Sequence, residues 1–166
     1  ISCDVGLSLP DYRAAERTFQ VLTQVAGRAG RGLLGGQALL QTYMPDHHAI
    51  QAAAAHDYAA FYNHEIELRE QHGYPPFGKL ARLIGSDRSL SRVETDAEEV
   101  AAQLHARIRA NRANSTDVIG PAPCFFARVA RKYRWQVVLR GPDPAALANI
   151  EVPAGWRVEL DPLSLL

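Results

Sequence analysis

Between Gln71 and Lys79 the chain reads His-Gly-Tyr-Pro-Pro-Phe-Gly, and no helix or strand can run through it. Pro75 and Pro76 have no N–H to donate and hold φ near −65°, while Gly73 suits the left-handed turn that ends a helix. This stop separates two differently patterned stretches. Before it, apolar residues recur at helical spacing. After it, helical and alternating runs take turns. One helical region is therefore expected to end here, and a rigid linker to turn into a compact α+β module.

The same string fits the GxxxxGK pattern of a phosphate-binding loop, from Gly73 to Lys79. Leu80 stands where that loop needs a hydroxyl for magnesium, and a helix precedes it instead of a strand. Two prolines also remove N–H donors that a phosphate cradle depends on. No nucleotide site is expected there.

Upstream, Pro10-Asp11 is expected to start a helix, with Ala15, Phe19, Leu22 and Ala26 as its apolar stripe. Arg13, Glu16 and Arg17 fall off the stripe, on a solvated face. The glycines from Gly27 to Gly36 predict a loop, and Gln37 to Tyr43 a short strand. The first domain is placed at 1–45, ending near Met44-Pro45, and the second at 46–166. From Asp46 a helical region runs to His72, broken near His56-Asp57, where Asp57 can cap a second helix. Tyr58, Phe61, Tyr62, Ile66 and Arg69 form its buried stripe and edge, with Glu65 and Arg69 paired at i, i+4. His48, His56, His64 and His72 recur every eight residues, but eight steps turn a helix ~80° out of line, so no metal role is expected.

Downstream, Lys79 to Ile84 predicts a strand, and Val93, Ala97, Val100, Leu104 and Ile108 the buried stripe of a long helix. Glu94, Asp96, Glu98 and Glu99 near its start, and Arg107, Arg109 and Arg112 near its end, suit the helix dipole. Val118-Ile119, a Gly-Pro-Ala-Pro corner and Phe125 to Val129 come next, and then a strand in which Trp135, Val137 and Leu139 alternate inward. A short helix over 144–150 precedes a last strand with Trp156, Val158 and Leu160 inward. The order β-α-β-β-α-β is that of a split βαβ sandwich, an antiparallel or mixed sheet with helices on one face and both tryptophans toward the core.

Composition bounds the function less than the fold. The 18 basic and 18 acidic side chains cancel, so any basic footprint is local. Cys3 and Cys124 are far apart, without the spacing of a zinc site or a disulfide framework. No apolar run approaches the ~20 residues of a membrane span and no signal peptide opens the chain, so a cytoplasmic protein without a membrane partner is expected.

Two constellations carry chemistry. Gln24-Val-Ala-Gly-Arg28-Ala-Gly-Arg31 sets two arginines three residues apart at the end of an apolar helical stretch. Such guanidinium groups fork onto phosphate oxygens and can stabilise a transferring γ-phosphoryl group. The alternative is a helix end whose arginines answer its dipole, with Gly27 and Gly30 as terminators. The second constellation lies between Val118 and Arg140, a stretch with five basic residues and no acidic one. Arg128, Arg131, Lys132 and Arg134, with Tyr133 among them, crowd an expected hairpin. A basic loop with an interleaved aromatic suits phosphates and stacked bases of single strands or fork junctions. It suits an acidic peptide as well. The remaining possibility is an edge kept soluble by charge.

The stretch Asp4 to Gly32, with Glu16-Arg-Thr-Phe-Gln20 ahead of QxxGRxGR, resembles the end of the second motor lobe of superfamily 2 helicases and their motif VI. Together with Gln41-Thr42-Tyr43, Gly73 to Leu83, Tyr133-Arg134-Trp135-Gln136 and Asp161-Pro162-Leu163, it is similar to the primosomal protein N′ (PriA) family of replication-restart helicases. The resemblance runs the length of the chain. It implies a C-terminal piece of a larger bacterial ATPase, opening inside a strand of a RecA-like lobe. That protein would be an ATP-dependent 3′-to-5′ DNA helicase that recognises abandoned forks and initiates primosome assembly. ATP and magnesium would serve it, zinc would be bound upstream of this chain, and the chain alone would bind none of them and be inactive. Arg28 and Arg31 would reach the γ-phosphate, with Gln24 holding the loop or coupling it to DNA. Implied partners are branched and single-stranded DNA, the acidic tail of single-stranded DNA-binding protein and primosome components, near the nucleoid. Another superfamily 2 helicase, or an ATPase-deficient fork-binding scaffold of this family, are the alternatives.

Overall fold

The computed structural model describes residues 3–29 and 37–166. The chain divides into two compact units, Ile1–Gln71 and His72–Leu166. The division falls just before the Gly-Pro stop, so the helices from Asp46 to His72, expected with the second domain, lie almost wholly in the first unit.

Within its described residues the first unit is helical: α1 (Asp4–Leu7), α2 (Ala14–Ala29), α3 (His48–Ala54) and most of α4 (Tyr58–His72). No RecA-like sheet is present among them. From Asp4 the chain forms a single helical turn; Ile1, expected inside a strand, lies outside the described residues. Gln37 to Tyr43 makes only an isolated bridge at Gln41, whose carbonyl accepts from Cys3 N–H at 3.3 Å. A strand exists only against a neighbouring strand, and none of the four strands lies in this unit. Asp11 does not head α2; its carboxylate accepts from Arg13 N–H (2.9 Å) and Arg17 (3.0 Å). Asp57 caps α4 as expected, accepting from Ala60 N–H at 2.9 Å.

Phe19 and Leu22 of α2 meet Ala49, Ile50 and Ala53 of α3 and Phe61 of α4, and Phe19 stacks on Phe61 with ring centroids 4.2 Å apart. Tyr58 and Tyr62, expected in the buried stripe of α4, are exposed. The place between Phe61 and Arg69 is taken by Glu65, which is buried and bonded to Arg69 (2.9 Å) and His48 (3.2 Å). Arg69 also holds Glu16 at 2.9 Å, and Glu16 pairs with Arg13 at 2.8 Å. The polar side of α2 thus ties α2 to α4, where a solvated face was expected.

The second unit is α+β. Strand β1 (Lys79–Asp87), helix α5 (Leu90–Ala110), strands β2 (Asp117–Val129) and β3 (Lys132–Gly141), helix α6 (Pro144–Ala148) and strand β4 (Trp156–Leu160) follow in the expected order. The four strands form one sheet in the order β2-β3-β1-β4, antiparallel at every pairing. Strands β1 and β2 therefore run parallel with β3 inserted between them, the split βαβ arrangement. One face carries the core: Ala81, Leu83, Val137, Leu139 and Trp156 against Ala97, Val100 and Leu104 of α5 and Leu147 of α6. Trp135 packs against the same cluster, half-buried.

Three expectations change here. Helix α5 starts at Leu90 behind Ser89, whose Oγ accepts from Arg92 N–H, so its acidic residues lie beyond the first turn and past the dipole end. Val158 and Leu160 on edge strand β4 are exposed, and only Trp156 of that strand is buried in the core. The second face is also buried, at Leu80, Arg82, Ile84 and Val138. There Arg82, 2% exposed, donates to Gln136 Oε1 (2.6 Å) and to the carbonyls of Ser164 and Leu166 (3.3 and 3.1 Å), binding the last residues to the sheet.

Candidate nucleic-acid interface

The tip of the β2–β3 hairpin is a two-residue turn. Val129 pairs with Lys132, and Ala130 and Arg131 between them take φ of 50° and 63°. Left-handed φ at both central positions matches the right-handed twist of the flanking strands, as in type I′ turns. Arg128 pairs with Tyr133 in register, so the two share a face, and the guanidinium carbon lies 5.1 Å from the ring centroid. Lys132 and Arg134 alternate onto the opposite face.

The predicted residues Arg128, Arg131, Lys132, Tyr133 and Arg134 are therefore all brought together. Arg128, Arg131 and Lys132 are exposed, Tyr133 and Arg134 half-buried. Among the described residues no carboxylate forms a salt bridge with any of these four cations. The fifth basic residue of the stretch differs. Arg140 is bonded to Asp117 at 2.8 Å and lies 4.9 Å over the Tyr74 ring, a structural use.

Sequence reasoning missed the neighbours of this tip. Between the pairs Pro123↔Trp135 and Arg128↔Tyr133, β2 advances five residues and β3 two, so three extra residues bulge from β2. Cys124 points inward, 2% exposed, while Phe125 and Phe126 stand out at 47% and 56% exposed. Their rings meet edge to face at 5.0 Å. The adjacent phenylalanines in a run already marked as basic were the available signal, but strand alternation sends one of any two neighbours inward. Only the bulge frees both.

The other predicted group lies in the first unit. Gln24 and Arg28 sit one turn apart on α2, both exposed. Helix α2 passes through Gly27 to Ala29, so Gly27 is not its terminator. Arg31 lies outside the described residues, as does Gly30. The GxxxxGK look-alike is closed to phosphate: the Phe77 and Gly78 N–H groups both donate to the Tyr74 carbonyl (3.0 and 3.3 Å). Of the evenly spaced histidines, His48 and His64 come together at 4.4 Å, with His47 stacked 4.5 Å from His48. Among the described residues no group of His, Cys, Asp or Glu has the geometry of a metal site.

Burial, hydrogen bonds and charged neighbours shift three carboxylate and imidazole groups of the first unit. Glu16 is lowered to about 2 by the Arg13 hydrogen bond, with burial opposing and Arg69 assisting. Burial would raise Glu65, but hydrogen bonds from His48 and Arg69 hold it below its ordinary value. His47 is lowered by burial and by His48.

A family model described as the primosomal protein N C-terminal domain matches residues 70–163, which hold all four strands and the hairpin. The chain belongs to the PriA family. It is 41% identical to the replication restart protein PriA of Bacillus subtilis over 150 residues, 90% of this chain and 18% of the relative. The Synechocystis PriA is 41% identical over 86% of this chain and 17% of its own length. The Treponema pallidum PriA is 39% identical over all of this chain and 26% of its own. The chain thus spans about a fifth of the length of the PriA relatives it matches. No helix among the described residues is long and apolar enough to cross a membrane.

Proposed function

We propose that this chain is the C-terminal part of a bacterial ATP-dependent 3′-to-5′ DNA helicase that recognises stalled or abandoned replication forks and initiates primosome assembly. Its β-sheet unit acts as a DNA contact. Membership of the PriA family and the replication-restart names of its relatives support the setting. The observation that carries the DNA contact is the hairpin tip: four cations and an aromatic ring cluster there, and among the described residues none of those cations forms a salt bridge with a carboxylate. Phosphate neutralisation with counterion release supplies most of non-specific affinity, and such a tip is built for it.

In the whole protein Arg28 and Arg31 face the γ-phosphate of ATP held with magnesium on another lobe, and Gln24 positions or couples that loop. Zinc ligands lie outside this chain. Most phosphate contacts of this motor type belong to the other lobe, so the chain alone neither holds nor hydrolyses ATP. A second reading, capture of the acidic tail of single-stranded DNA-binding protein, is favoured by the arginine content of the tip. An ATPase-deficient scaffold would use the same surface.

Titration of a labelled forked or single-stranded oligonucleotide against salt tests the contact. Four phosphate contacts give a slope of roughly −3 in log K against log salt. Arg131→Ala with Lys132→Ala should make it shallower by about 1.5 at unchanged melting temperature, since exposed charges contribute little to stability. Absence of DNA binding at low salt sinks the proposal. Binding of an acidic peptide alone, abolished by the same substitutions, selects the second reading.

A further inference from the structure

Phe125 and Phe126 are the largest apolar groups exposed beside the cationic tip, and the structure spends an irregularity to expose them. The three extra residues of β2 break the ladder between Pro123 and Arg128. Buried Cys124 anchors the bulge from below, which turns the following two rings outward. Strand β2 lies at the edge of the sheet, and both rings meet solvent. A bulge at a sheet edge that re-aims side chains is a recurrent way of building a site.

We infer that Phe125 and Phe126 form a stacking platform for unpaired nucleobases, so that this unit selects single-stranded over duplex DNA. The inference rests on the DNA reading of the hairpin and adds to it the class of strand that is bound. Four cations without a salt bridge among the described residues favour an anionic occupant, and the two exposed rings beside them favour a flat apolar one. Single-stranded DNA offers both in each nucleotide, whereas a duplex hides its base faces inside the stack. Consecutive Cα atoms lie about 3.8 Å apart, so those of Phe126 and Arg128 are within about 7.6 Å, close enough for one strand to touch ring and guanidinium together. Tyr133, already faced by Arg128, is the third ring along the path.

The test uses this 166-residue chain and a labelled oligothymidylate, compared with a duplex of equal length. Phe125→Leu with Phe126→Leu keeps apolar bulk and removes the rings. Single-strand affinity should fall about ten-fold or more, as for other base–aromatic stacks, while duplex affinity and the salt slope stay as they were. Arg131→Ala with Lys132→Ala should instead weaken both ligands and flatten both slopes. If the leucine variant binds single strands as tightly as the wild type, stacking is refuted and the phosphate contact stands. If duplex affinity falls in parallel, the rings act through the fold of the hairpin and the inference fails. If the wild-type chain binds neither ligand at low salt, the DNA reading and this inference fall together. Loss confined to an acidic peptide would assign the platform to a protein partner.

Discussion

Glu16 carries much of the electrostatic organisation of the first unit. Helical periodicity places it on the polar side of α2, yet Arg13 and Arg69 both bond to it, and Arg69 passes the link to Glu65 and His48. Its folded value lies below its ordinary one, so its stabilisation is complete above pH 4.5 and is lost as pH falls toward 2. A drop from 4.5 to about 2 corresponds to about 3 kcal/mol, which partial exposure screens to about 2 kcal/mol. Glu65 acts in the same direction. His47 adds a shallower step at higher pH. Its Nδ1 accepts from Ala49 N–H at 3.2 Å and must be unprotonated to do so. That contribution is lost as pH falls below 6.5. Helical signal followed through thermal melts between pH 7 and 3 should show both steps, and Glu16→Gln should remove most of the lower one. An acid profile identical in Glu16→Gln would assign the sensitivity to other groups.

Among the elements, the β2–β3 hairpin shows a conflict between local conformation and side-chain chemistry. Ala130 and Arg131 both adopt left-handed φ, which costs non-glycine residues about 1 kcal/mol or more each. Glycine at position 131 would remove that cost, so Arg131→Gly should raise the stability of the β-sheet unit by about 1 kcal/mol. Where the guanidinium contacts phosphate, the same change should weaken DNA binding and flatten the salt slope by about 0.8. A denaturant midpoint and a salt titration on one variant measure both effects. A stabilised variant with an unchanged slope would leave Arg131 as a turn residue without a DNA role. Strand β2 supports the same hairpin differently: Pro121 and Pro123 lie on its edge, where missing N–H groups discourage a further strand.

At the scale of the whole molecule the two candidate groups belong to different units. Gln24 and Arg28 lie on the helical one and the hairpin on the β-sheet one. On the proposed function most phosphate contacts lie on another lobe, so ATP with magnesium should not shift the melting temperature of this chain, and no phosphate should be released on adding DNA. A nucleotide-dependent rise would overturn the assignment of the missing contacts to another lobe. In the longer protein, Arg31→Ala should lower ATP turnover by roughly 10³-fold or more with fork binding retained, as for other arginines that stabilise phosphoryl transfer. Unchanged turnover would return Arg28 and Arg31 to a role at the end of a helix.

Local periodicity was enough to read the elements of the second unit from the amino-acid order. The stripe from Val93 to Ile108 demands a helix with one buried side, and the alternation from Trp135 to Leu139 demands a strand. The Gly73–Pro76 stop divides the patterns, and the cluster at Arg128 to Arg134 marks the hairpin tip. These features depend on neighbours a few residues away, which the sequence displays directly. Burial of a second face does not. Arg82 and Val138 are buried because the sheet is covered on both sides, with the chain's last residues, bound by Arg82, on the second. Tyr58 and Tyr62 are exposed because Glu65 and its partners occupy the inward side of α4, and among the described residues Gln37 to Tyr43 has no strand to pair with. Phe125 and Phe126 are freed by a mismatch in advance between two strands, a property of the pair that neither strand contains alone. Periodicity states which residues share a side, but only the packed chain decides what that side meets.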